Sequence, residues 1–152
     1  MKLAYKLSLA AAALLLLLLF PARGRAEQVQ RFDNYQVHYN ALSTDMLPAE
    51  VARQYKFSRS SKQGLVNIAV QQLGSDSQPV AVAAKVSGTA ANLAGQRSEL
   101  AVREIREADA VYYLGEFDVR GSDTINFSID ITPAGSKRSY QLKFSKNYVT
   151  DR

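Results

Sequence analysis

Between Thr124 and Ile131 the chain reads TINFSIDI, so that Ile125, Phe127, Ile129 and Ile131 alternate with Thr124, Asn126, Ser128 and Asp130. Successive side chains of an extended strand point to opposite faces, so this spacing places every apolar group on one face and every polar group on the other. A helix of the same sequence would scatter the apolar groups around its circumference. The pattern recurs along the chain. Tyr140, Leu142 and Phe144 alternate with Gln141, Lys143 and Ser145, Val66, Ile68 and Val70 with Asn67, Ala69 and Gln71, and Tyr35, Val37 and Tyr39 with Asn34, Gln36 and His38. Val80, Val82, Ala84 and Val86 mark a further strand, rich in β-branched residues. Pro133-Ala134-Gly135-Ser136 separates the last two strands and predicts a C-terminal hairpin. The chain is thereby directed toward half-buried antiparallel sheet.

The alternating runs fall at 31–41, 64–73, 79–88, 98–106, 110–119, 123–132 and 138–149, about seven strands. Thr44 to Tyr55 departs from them. Leu47, Val51 and Tyr55 have helical spacing, Pro48 suits a first helical turn, and Glu50 complements the helix dipole there. The expected fold is mainly β, a two-sheet sandwich of immunoglobulin-like type with one short helix, and a closed barrel is the alternative. No core Trp or disulfide of the antibody type accompanies it, since the chain has neither Trp nor Cys.

The N-terminus has a different character. Lys2 and Lys6 precede the nearly pure apolar run Leu7 to Phe20, and Gly24 and Ala26 are small residues suited to a signal peptidase. The run is shorter than the roughly 20 residues of a spanning helix and is followed by Pro21. We expect a cleaved secretory signal at 1–26, a single domain at 27–152, and a periplasmic protein that is not membrane-embedded after cleavage. Lipidation at the cut would need a cysteine. Cleavage also removes Lys2, Lys6, Arg23 and Arg25, four of the nineteen bases, and leaves fifteen against fourteen acids, a net charge of +1. Net charge then gives no support to nucleic-acid binding.

Few groups are suited to catalysis. His38 is the only histidine and no Gly-x-Ser-x-Gly or Ser-x-x-Lys motif occurs, so no catalytic residue is assigned. Paired carboxylates among Glu104, Glu107, Asp109 and Glu116 would suit a hydrolase, but each reads more simply as a solvated strand or turn residue. Asp118-Val119-Arg120-Gly121-Ser122-Asp123 resembles a cation loop only superficially, because Arg120 would oppose a dication. It reads as a hairpin turn, and neither metal nor cofactor is expected.

The stretches FDNYQVHYNA (32–41), LPAEVARQY (47–55), GLVNIAV (64–70), ANLAGQ (91–96) and VREIREADAVYYLGEF (102–117) resemble a family of small exported bacterial proteins. That family is known only as a domain of unknown function, number forty-four twenty-six in its series. Lys56-Phe57 departs from it, standing where Gly and an aliphatic residue are expected. The resemblance implies export and one compact domain, and it carries no activity, cofactor or catalytic residue.

Binding remains as the leading expectation, with an envelope protein, peptide or glycan as partner, ahead of a structural or oligomeric envelope protein and a carboxylate-dependent hydrolase. Residues 102–117 read as two strands joined about Ala108. That register sets Ile105 opposite Val111, Glu104 opposite Tyr112 and Arg103 opposite Tyr113, with the guanidinium across the ring. Val102 and Leu114 then fall on the opposite face from Ile105 and Val111, so neither face is wholly polar. Such a mixture predicts either a bulge or a second apolar surface that meets a partner. The candidate interaction surface comprises Arg103, Glu104, Arg106, Tyr112, Tyr113 and His38.

Overall fold

The structure is a computed structural model and describes residues 28–75 and 78–149. The expected signal segment lies outside the described residues. Two antiparallel sheets face each other across one core. The first contains β1 (Gln28–Phe32), β2 (Tyr35–Ser43), β3 (Gln63–Gln72), β8 (Ala110–Asp118) and β7 (Ala101–Glu107) in that spatial order, and the short β4 (Val80–Ala81) pairs with the end of β3. The second has the order β10 (Tyr140–Tyr148), β9 (Asp123–Pro133), β5 (Ala84–Ala91), β6 (Arg97–Glu99). A 3-10 turn at Thr44–Met46 and the helix α1 (Ala49–Gln54) join β2 to β3.

The alternating residues form the core as their spacing requires. Val37, Val66, Ile68 and Val70 of the first sheet meet Ile125, Phe127, Ile129, Ile131 and Leu142 of the second, all buried. Each such side chain contributes about 1.5–3 kcal/mol by leaving water. Gly64 lies opposite Phe117 in the β3–β8 ladder. The Phe117 ring occupies the space that a Cβ at position 64 would need, and it meets Phe127 edge-on with ring centroids 4.9 Å apart. Glycine here exchanges strand propensity for close aromatic packing.

The expected C-terminal hairpin is β9–β10, with Leu142 opposite Ile129 and Phe144 opposite Phe127. Three other runs are divided more finely than alternation reveals. The run at 31–41 is a hairpin of β1 and β2 turning at Asp33-Asn34, with Asp33 in the left-handed region at φ 49°. The run at 79–88 leaves the first sheet after β4 and joins the second as β5. The run at 98–106 does the reverse, with β6 in the second sheet and β7 in the first. The Asp118–Asp123 segment is corrected in the same way. It carries the chain from β8 in one sheet to β9 in the other and is not a hairpin turn.

The β7–β8 register also differs from the sequence expectation. Two residues, Ala108 and Asp109, make the turn, with Glu107 opposite Ala110, Ile105 opposite Tyr112, Glu104 opposite Tyr113 and Arg103 opposite Leu114. Ala108 takes the left-handed conformation at φ 48°, which a tight two-residue turn requires and which glycine or asparagine would have announced.

Candidate binding faces

The odd-numbered residues of β8, including Tyr113 and Phe117, face the core between the sheets, whereas Tyr112 and Leu114 face outward and are also buried. The chain itself supplies their cover. Leu47, Val51 and Ala52 of the helical segment, with Phe57 beyond it, pack on Leu65, Tyr112 and Leu114, and Tyr55 and Ile105 close the margins. The second apolar surface therefore exists, without a bulge, and its partner is residues 47–57. The helix ends in a Schellman arrangement, with Phe57 N–H donating to the Ala52 carbonyl at 2.8 Å and Lys56 N–H to the Arg53 carbonyl at 3.3 Å. Lys56 sits there at φ 58°, which explains why glycine is the expected residue at that position.

The six candidate residues do not share one surface. Tyr112 and Tyr113 are each 3 % exposed, on opposite faces of β8, and offer no recognition surface. Arg103 does not cross the Tyr113 ring. Its guanidinium lies 4.3 Å from the centroid of Phe57 and donates to the Tyr55 carbonyl at 3.0 Å, so it fastens the helical cover to the sheet. Glu104 accepts from Arg106 Nε and, at 3.1 Å, from the Tyr113 hydroxyl. That hydroxyl in turn accepts from Ala84 N–H at 2.6 Å and ties the two sheets together. The Arg106 hydrogen bond, aided by Tyr113, holds the Glu104 carboxyl below the usual range, and burial pushes the Tyr113 phenol up. His38 stands apart on the outer face of β2. Its Nε2 is 3.0 Å from Gln71 Oε1 and 3.1 Å from Gln36 Nε2, and Gln36 donates to Gln71 at 2.6 Å. Two amides thus surround that ring nitrogen.

The outer face of the second sheet is open and polar. Two cross-strand rows define it. Lys143, Ser128, Thr89 and the exposed Glu99 lie in one, and Ser145, Asn126, Ala91 and Arg97 in the next. The small residues at the centre leave a trough of about 520 Å³, bounded by Lys143 on edge strand β10 and Arg97 on edge strand β6. Three strand spacings, about 14 Å, separate those two strands. No residue lining the trough is acidic, and Glu99, opposite Thr89, ends the first row outside that lining. Arg97 Nη2 donates to Thr89 Oγ1 at 3.0 Å, and Ser145 Oγ to Asn126 Oδ1 at 2.6 Å. A smaller recess of about 230 Å³ opens at one end of the sandwich, between the β5–β6 turn and the β8–β9 connection, and shares only Arg97 with the trough. Sequence reasoning passed over both. Lys143 was legible as an outward residue, but its relation to Arg97 depends on β9 and β5 lying between them.

No curated protein matches the chain. Several solved chains share its fold. A DUF4426 family protein from Pseudomonas aeruginosa PAO1 is 32% identical, with a TM-score of 0.69 over 83% of this chain and 97% of that one. FetP of uropathogenic Escherichia coli strain F11, recombinantly expressed in the periplasm, is 11% identical, with a TM-score of 0.57 over 82% of this chain and 94% of its own. A copper-bound variant of FetP matches equally well, at 11% identity and a TM-score of 0.57. The family model described as "Domain of unknown function (DUF4426)" matches residues 29–151, and the chain belongs to that family.

Proposed function

We propose that this protein is an exported, non-catalytic binding module of the cell envelope whose ligand is an elongated, acidic saccharide held in the trough of the second sheet. The trough carries the reading, with two cations on opposite edge strands, hydroxyl and amide side chains interspersed with small and aromatic residues along its floor, and no acid in its lining. Its volume lies within the range of small-ligand sites. Hydroxyl and amide groups match a hydroxyl-rich ligand better than a peptide with apolar side chains. Of the two phenylalanines in the lining, Phe127 is buried and Phe144 half-buried, which leaves a neutral sugar little ring to stack on, so charge must supply much of the affinity. The other outer face offers no comparable opening where the helical segment covers it. Export is inferred from the N-terminal sequence pattern and agrees with the periplasmic expression of FetP.

A carboxylate hydrolase is less well supported. A general acid needs a raised pKa, whereas that of Glu104 is lowered by Arg106 and Tyr113. The copper of the FetP variant is not carried over, because a likeness at 11% identity extends to the fold alone.

Titration of the protein with a galacturonate trimer, against a neutral galactose trimer of equal length, tests the proposal. The acidic trimer is expected to bind and to weaken with salt. Arg97→Ala combined with Lys143→Ala is expected to reduce its affinity by about tenfold or more, since each lost charge-assisted contact approaches that size. Equal binding of both trimers, absence of binding, or indifference to the double substitution overturns the proposal.

A further inference from the structure

We infer that the recess at the end of the sandwich is a second ligand site, for a small zwitterion of the α-amino-acid class with an apolar side chain. The recess combines three kinds of lining. Arg120 is cationic, Asp118 and Asp123 are anionic, and Ala90 and Ile125 form an apolar floor, 5% and 3% exposed, while the Arg97 guanidinium at the rim turns to Thr89 and the trough. At about 230 Å³ it is on the scale of one small molecule.

The charges are uncommitted. Among the described residues none of the three side chains Asp118, Arg120 and Asp123 forms an ion pair. Asp123 Oδ1 accepts from the neighbouring Thr124 N–H, at 2.7 Å. Opposite charges that line one recess without pairing there are matched by a ligand carrying both signs. Its carboxylate takes the guanidinium fork, which suits two parallel hydrogen bonds. Its ammonium takes the aspartates, and its side chain covers Ala90 and Ile125. A dication would answer the two aspartates but would face the Arg120 guanidinium. A simple anion would answer Arg120 and leave the aspartates opposed to it.

The backbone gives the recess firm walls. On one side the β5–β6 turn is closed by Asn92 N–H to the Gln96 carbonyl at 3.0 Å, Gln96 N–H to Asn92 Oδ1 at 2.8 Å, and the Asn92 and Gln96 amides to each other at 2.8 Å. On the other, buried Val119 donates its N–H to the Lys62 carbonyl at 2.8 Å and holds Asp118 and Arg120 at the rim.

Leucine, its N-acetyl derivative and leucine amide separate the two charges. They are titrated into the full-length protein at millimolar concentration, with the Ala90 and Ile125 amide resonances as readout. Leucine is expected to shift both resonances, while the two singly charged analogues bind about tenfold more weakly or less. Asp118→Asn with Asp123→Asn is expected to abolish the leucine shift, and Arg120→Gln to weaken it. These variants leave Lys143 and Arg97 in place, so saccharide binding in the trough is expected to persist and the two sites are judged separately. Equal binding of the singly charged analogues, no shift with leucine, or a response to calcium in its place overturns the inference.

Discussion

Asp33 turns β1 into β2 with a left-handed backbone that aspartate tolerates better than most residues. Its carboxylate accepts from the Tyr140 hydroxyl and from Arg138 Nη1, each at 2.8 Å, and these contacts fasten the edge of the first sheet to that of the second. The Tyr140 hydrogen bond, with Arg138 beside it, lowers the carboxyl pKa from its ordinary value. A carboxyl whose pKa is lower folded than unfolded contributes stability above the unfolded value and loses it as pH falls through the folded one. Stability is therefore expected to decline below about pH 4 partly through this residue. Asp33→Asn is expected to flatten that decline, while urea midpoints near neutral pH fall slightly. An acid limb unchanged by the substitution would refute the assignment. None of this was legible in the sequence, because Asp33 and Arg138 are 105 residues apart and only the topology brings them together. Lys56 and Ala108 make a related point. Both adopt left-handed backbone without being glycine, so each turn lacked its usual signal.

At the scale of elements, the alternation in β2, β3, β9 and β10 was legible because one face of each strand meets a single core. The β8 sequence resisted such a reading because both its faces are buried, one by the opposite sheet and one by the 47–57 segment. The helix was visible in the spacing of Leu47, Val51 and Tyr55, and so was the second apolar face of 102–117. What the sequence did not show is that each is the answer to the other. Arg103 holds them together through the Phe57 ring and the Tyr55 carbonyl. Arg103→Ala is expected to cost about 1–2 kcal/mol, one exposed cation–π contact and one hydrogen bond. The loss should be local. Amide exchange at Val51 and Ala52 is expected to quicken, with Ile68 and Val70 of β3 unchanged. Uniform acceleration across the sheets would show that the helical cover is not a separable unit.

The whole molecule depends on two stretches of chain that pass directly from one sheet to the other. Val82 N–H donates to the Val70 carbonyl of the first sheet at 3.0 Å, and two residues later β5 begins in the second. Ala134 N–H donates to the Ala83 carbonyl between them at 2.8 Å. Leu100 makes the return crossing. Its N–H donates to the Gly88 carbonyl of the second sheet at 2.9 Å, and the next residue, Ala101, pairs with Glu116 of the first. An alternating sequence shows which face of a strand is buried, but not the sheet to which the strand belongs. The two crossings were therefore hidden inside runs that each looked like one strand. They also mean that neither sheet can separate without straining the other. Leu100 is 8 % exposed and packs beside Gly115 of β8, so it lies where that coupling is concentrated. Leu100→Ala removes buried methyl groups at the junction and is expected to lower stability by about 2–4 kcal/mol. Because the residue is shared, amide protection should fall by the same factor in β3 and β9 and unfolding should remain a single transition. If β9 and β5 instead lost protection while β3 and β8 kept it, the sheets would be independent units joined only by covalent connection, and the trough of the second sheet and the helical cover would lie on separately folding parts.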